Sequence, residues 1–309
     1  MLQQLSAILY AGSLVATPSA PPPTPIPSPS RPTVTIHRQV DEVRLAFSVD
    51  DDRGPFKNLP ADAFTVYDNE QAVSPTAFSA DSDLPLRIGL LVDRSDSVRK
   101  EFAAEQQAAQ RFLHSVLRPE SDSIFLLDFT HQLNFRRGTV GGPQLFAAAV
   151  NRLSPGGQTA LYDALHAAAH HDLMTAEEAQ PVRRVIILLS DGEDNYSRHS
   201  LDDAIAAAQM SDVSVYALTV RASRGYYPGD AVLAALADAT GGRAFVLPNL
   251  KRLDAVFAAI QDELRSEYLV SFHPAERAPC GYHALSVRPQ DHRLHVRARR
   301  GYFACGASY

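Results

Sequence analysis

Two kinds of hydrophobic pattern alternate along the chain. In 41–56, Val43, Leu45, Phe47 and Val49 take every second position, with polar residues between them, and Phe64 and Val66 repeat the theme in 63–73. A period of two marks strands with one buried face, and Asp52-Arg53-Gly54-Pro55 and Asp68-Asn69 supply turns. From Leu84 the runs become continuously apolar: 86–92, 123–129, 182–190, 213–220 and 243–248. Segments of helical spacing separate them, at 98–117, 160–174, 200–210 and 230–240, and a further one follows at 250–268. Strands apolar on both faces and joined by helices predict an α/β unit built on a doubly wound, mostly parallel sheet. After Glu267 the alternation returns, in 268–274, 282–289 and 292–303.

β segments thus bracket an α/β unit. The expected organisation is an α/β domain over 84–266, inserted between β segments at 34–80 and 268–305 that pair into one small sandwich. Ahead of them, 17–33 is rich in proline, an extended composition that cannot form a packed core. The first twenty residues hold a short apolar stretch ending in small residues, a signal-like pattern without a basic start, since no Lys or Arg precedes Arg31. Residues 1–33 therefore read as a signal-like segment and linker, and the protein as exported. No segment reaches the length of a transmembrane helix, so no transmembrane span is expected.

Composition narrows the picture. With 309 residues, 45% of them hydrophobic, the chain can bury a sizeable core without metal or disulfide. A net charge of -6 argues against nucleic acid as the partner. The two cysteines, Cys280 and Cys305, do not form a metal or redox motif. In an oxidising compartment they could close the C-terminal β segment, a bond worth about 3–4 kcal/mol in the chain-entropy model; in the cytoplasm they would stay reduced.

Candidate chemistry gathers where the buried strands end. The first apolar run closes on Asp93, and Ser95 and Ser97 follow at alternate positions. Thr159 follows a Gly-Gly turn and precedes a helix, and Asp191 ends the run at 182–190. Doubly wound sheets bind ligands at the carboxyl ends of their strands, so these five residues can converge there. All are oxygen donors. A hard divalent cation, Mg²⁺ or else Mn²⁺ or Ca²⁺, takes such ligands. Three neutral hydroxyls and two carboxylates leave an open position that attracts an external carboxylate, and no general base stands beside them. The set favours capture of an acidic ligand over hydrolysis.

Asp93-x-Ser95-x-Ser97, Thr159 and Asp191, in this order on alternating strands and helices, resemble the metal-ion-dependent adhesion site of von Willebrand factor type A domains. The resemblance covers about 84–266. The bracketing β segments, ending in Arg297-Ala298-Arg299-Arg300-Gly301-Tyr302, are similar to those of the bacterial von Willebrand A-related proteins of Acidobacteria. The resemblance implies a non-enzymatic module that binds a protein partner through the partner's exposed Asp or Glu. It also implies that Ser95 and Ser97 hold the metal directly, Asp93 through water, Thr159 directly in a ligand-ready state, and Asp191 directly or through water.

Other readings of the same residues exist. Asp93, Ser95 or Thr159 could simply cap helices, and Asp191-Gly192 could be a plain turn. A structural scaffold with a non-functional metal site is one alternative function. A metal-dependent phosphoesterase is another, since a strand-end Asp also opens haloacid-dehalogenase-type phosphatases. Those need a second carboxylate two residues on, where this chain has Ser95. Asp96, Glu193 and Asp194 read as solvated neighbours, and His170-His171 as surface residues. Arg293, His295, Arg297 and Arg299 read as a solvated strand face, and 224–230 as a loop tip.

Overall fold

A computed structural model of the chain describes residues 42–51, 54–80, 84–118, 120–138, 142–176, 180–221, 225–274 and 281–304. The signal-like segment, the proline-rich stretch, Cys280 and Cys305 lie outside the described residues.

Strands β1 (Val43–Asp51), β2 (Gly54–Pro55), β3 (Phe64–Asp68), β4 (Gln71–Val73) and β5 (Pro75–Ser79) precede β6 (Leu86–Asp93) and α1 (Phe102–Ser115). Then come β7 (Ser123–Phe129), β8 (Leu133–Gly138), α2 (Gly142–Asn151), α3 (Leu161–Ala169) and α4 (Asp172–Thr175). β9 (Arg183–Leu189), α5 (Leu201–Met210), β10 (Val213–Val220), α6 (Pro228–Thr240), β11 (Ala244–Leu247) and α7 (Leu253–Leu264) complete the α/β part. β12 (Tyr268–Phe272), β13 (Tyr282–Pro289), β14 (His295–Ala298) and β15 (Gly301–Phe303) close the chain.

The central sheet has the order β11-β10-β9-β6-β7-β8. All its pairings are parallel except β7 with β8. Four of the apolar runs form its inner strands, as expected for strands covered on both faces, and the fifth forms the edge strand β11, where Val246 is exposed. One core lies under α1, α2 and α7, and a second under α3, α5 and α6. The antiparallel edge strand β8 and helix α2 were not legible, because Leu133–Gly138 is short and mostly polar. The helical segment at 160–174 breaks in two at His170-His171. There the His171 ring stacks on Phe125, 4.0 Å between centroids, and its Nδ1 accepts from the Leu173 amide at the start of α4. His171 is therefore packed against the core rather than set on an open surface.

The outer strands form two antiparallel sheets. One has the order β14-β1-β12-β5, with β2 on β1, and the other the order β15-β13-β3-β4. β1 pairs with β12 so that Phe47 faces Tyr268, and β3 pairs with β13 so that Val66 faces Val287. The alternating residues Val43, Leu45, Phe47, Val49, Phe64 and Val66 share a core with Tyr268, Val270, Phe272, Leu285 and Tyr302. The run at 292–303 splits between the sheets, β14 pairing with β1 and β15 with β13.

The arginine row does not behave as a solvated face. Arg297 pairs with Asp50 at 2.6 Å and with Glu263 at 3.2 Å, and Arg299 with Asp212 at 2.8 Å. Glu263 also accepts from Ser48 and Tyr216, at 3.1 and 2.9 Å. Only Arg293 and His295 of the row are exposed. A charge on a strand can face another element of the same chain, and a local pattern does not distinguish that from water.

Candidate metal centre

Parallel registers decide what meets at the sheet edge. Val92 lies opposite Leu189 across β6 and β9, and Asp93 opposite Phe129 across β6 and β7. Asp93 therefore stands beside Ser190, whose hydroxyl donates to Asp93 Oδ2 at 2.7 Å. Its other oxygen accepts the Ser95 amide at 2.8 Å, folding the loop into a tight turn. That turn brings the Ser95 and Ser97 hydroxyls within 2.8 Å of each other. Asp93, Ser95 and Thr159 are fully buried, whereas Ser97 is exposed and Asp191 half-buried. The set thus has a buried floor and an open rim.

Hydrogen bonds lace the three loops together. Asp96 N donates to Gly157 O at 2.9 Å, Gly157 N returns a bond to Asp96 Oδ2 at 3.1 Å, and Gly156 N donates to Arg94 O at 2.6 Å. The Asn195 side chain accepts the Thr159 amide at 2.8 Å, while the Asn195 and Tyr196 amides donate to Thr159 O at 3.0 and 2.9 Å. Behind Asp191, Gly192 holds φ at +80°, and a Cβ there would come within 2.3 Å of Gly229 O. Arg221 donates to Asp191 O, pairs with Asp230 at 3.1 Å and lies 4.0 Å over the Tyr227 ring.

The capping readings fail on these contacts. α1 begins at Phe102, beyond the reach of Asp93 and Ser95, and has no side-chain cap. At α3, Asp194 takes the Tyr162 amide at 3.2 Å and Ser197 Oγ the Asp163 amide at 3.0 Å. Asp194 is thus a structural acceptor, while Asp96 is exposed and bonded to Arg99 and the Gly157 amide. Thr159 caps nothing: its hydroxyl is buried without a partner. An unpaired buried hydroxyl costs about 1–3 kcal/mol, so its place has to be explained by something that binds it.

Electrostatics point the same way. Burial pushes the Asp93 carboxyl up to about 7, against the pull of the Ser190 and Ser95 hydrogen bonds, and the charge of Asp191 adds to the rise. A cation is the group that relieves such a site. Among the described residues no cluster of three or more His, Cys, Asp or Glu could hold a metal; this set differs in kind, with two carboxylates and three hydroxyls, and so fits a hard oxygen-ligated ion.

The sequence profile of the von Willebrand factor type A domain matches residues 88–259, more than half of the chain. The chain belongs to the von Willebrand factor type A domain family. No curated protein matches it. Among solved structures, proximal thread matrix protein 1 from the mussel byssus is 17% identical with a TM-score of 0.47, covering 71% of this chain and 50% of that one. A further structure of that mussel protein, described with a zinc-occupied MIDAS motif, is 16% identical with a TM-score of 0.48, covering 64% and 49%. The von Willebrand factor type A protein from Catenulispora acidiphila is 12% identical with a TM-score of 0.48, covering 88% and 75%. The chain spans about half the length of the mussel structures it matches.

Several residues of this type A domain's site escaped the sequence reading. Ser190 stood in plain view before Asp191 but passed as the end of a strand. Asn195 and Arg221 carry no signature. Apart from these, Glu105 is a charged residue on the buried stripe Phe102, Ala108, Ala109, Phe112 of α1.

Proposed function

We propose that this type A domain is a divalent-metal-dependent protein-binding module that captures an acidic side chain of a partner. Asp93, Ser95, Ser97, Thr159 and Asp191 would hold the ion, Mg²⁺ or else Mn²⁺ or Ca²⁺. The bound ion would supply an open coordination position for the partner's carboxylate. The protein's own groups do the rest. Asp93 and Ser190 fix the floor, the Asp93–Ser95 turn presents the two serines, and Asn195 holds the Thr159 backbone. The observation that carries the reading is the buried, unpartnered Thr159 hydroxyl among three loops tied to one another.

The proposal includes export, which rests on the signal-like first twenty residues, and binding rather than catalysis. It also includes a flanking unit made of the strands before β6 and after α7, into which the α/β domain is inserted; their shared antiparallel pairing supports that division. Among the described residues no helix is long and apolar enough to cross a membrane.

Calorimetric titration of chelator-stripped protein with Mg²⁺ and Mn²⁺, beside an Asp93→Ala/Ser95→Ala variant, tests the centre. Saturable binding in the wild type and none in the variant is expected. Absence of binding in the wild type, with an acidic peptide present to complete the shell, would reduce the domain to a scaffold.

A further inference from the structure

Glu105 has no role in the chemistry described so far. It occupies the first turn of α1, which begins nine residues beyond Asp93 and packs across β6 and β10. These strands end at Asp93 and immediately before Arg221, with β9 and Asp191 between them in the sheet. The residue is buried, 1% exposed, and its Oε2 atom has no hydrogen-bond partner. It shares the buried stripe of α1 with Phe102, Ala108, Ala109 and Phe112, which belong to the apolar core. A carboxyl placed there without a partner is a cost of folding, and Gln or Leu would fill the same stripe more favourably.

Asp230 Oδ1 has its ion pair with Arg221, which leaves two buried oxygen atoms without partners among the described residues, Thr159 Oγ1 from the α3 side and Glu105 Oε2 from the α1 side. Burial pushes the Glu105 carboxyl well above its ordinary range; the charges of Asp93 and Asp191 add to this, and Arg221 opposes it. Glu105 thus lies within the field of the same two carboxylates that the metal reading uses.

We propose that Glu105 is a sixth residue of the metal centre: a positioning acid behind the ligands whose carboxylate would add a third negative charge to the site once an ion is held there. This inference rests on the metal reading of the site. Groups that stand behind metal ligands typically contribute 10–100-fold in affinity. In the metal-free protein the same group destabilises the fold, so its two effects have opposite signs.

The opposite signs give the test. Glu105→Gln and Glu105→Leu are compared with the wild type by calorimetry with Mn²⁺ and Mg²⁺, and by thermal unfolding in chelator. Both variants are expected to bind the metals about 10–100-fold more weakly, while their unfolding temperature in chelator stays equal to the wild type or rises. The affinity loss should persist in high salt, because a buried charge is little screened. Metal affinities within about twofold of the wild type would overturn the assignment and leave the five-residue centre standing, as would a lower unfolding temperature in chelator, the mark of a merely structural group. A wild type that binds neither metal would overturn both.

Discussion

Asp93→Asn separates the cost of the site from its use. Burial holds the Asp93 carboxyl at about 7, against 3.8 for an ordinary aspartate. Between those values the folded metal-free protein binds a proton that the unfolded chain does not. The sign follows from linkage: where the folded state holds more protons, stability falls as pH rises. The loss begins near 3.8 and is complete near 7. Each pKa unit corresponds to about 1.4 kcal/mol, so the rise to about 7 costs about 4 kcal/mol at alkaline pH. Asparagine keeps an acceptor for the Ser95 amide and can pair with the Ser190 hydroxyl, whose proton is free to rotate. The variant should therefore be more stable than the wild type in chelator above pH about 7 and should lose most of the fall with pH. Urea unfolding across this range, with chelator throughout, measures both. Glu105 contributes a fall of the same sign, so some slope remains. Metal should narrow this gap, since ligand at about 100 times its dissociation constant adds about 2.7 kcal/mol to the wild type alone, and about 1,000 times that constant is needed to close it. A variant whose stability in chelator falls with pH as steeply as that of the wild type would refute the reasoning.

Two further substitutions test the frame around the site. Gly192→Ala forces a left-handed residue and drives a Cβ to within 2.3 Å of Gly229 O; the combined cost is about 2–4 kcal/mol by chemical denaturation. The same variant should bind Mg²⁺ more weakly, because the only way to relieve the clash is to move the Asp191 loop away from α6. Tyr268 is fully buried, lies 5.3 Å from the Phe47 ring and 5.4 Å from the Phe64 ring, and donates its hydroxyl to Phe56 O at 2.9 Å. Tyr268→Ala should cost about 3–5 kcal/mol and Tyr268→Phe about 1 kcal/mol in urea. A loss in Tyr268→Ala below that range would show that the paired outer strands do not depend on their shared core.

The central sheet was legible because its strands are buried on both faces and carry no ambiguity of period. The metal candidates were legible for a related reason: a carboxylate or hydroxyl directly after such a run has to lie at the sheet's edge. What sequence could not settle was whether these groups had other work. Capping is a second reading of Thr159 in the sequence, and it is removed by Asp194 and Ser197, which take the first α3 amides. The arginine row is the converse case. Arg297 and Arg299 alternate as solvent-facing residues should, yet their partners Asp50, Glu263 and Asp212 come from distant parts of the chain. Spacing along a strand reports which residues share a face; it does not report what that face meets.

The groups that support the site were hidden for a different physical reason. Ser190 and Asn195 act through hydrogen bonds of a kind that any strand end or loop could make, so their residue types carry little information. Glu105 is the exception, because burying a charge is costly enough to be visible as a break in an apolar stripe. Asp93, Thr159 and Glu105 are each held in a state that the metal-free protein pays for: a raised carboxyl, an unpaired hydroxyl and an unpaired acid. Three such costs at the ends of adjacent strands and the helices above them are hard to reconcile with a scaffold whose site has no ligand. They support the proposal of a centre completed by a cation.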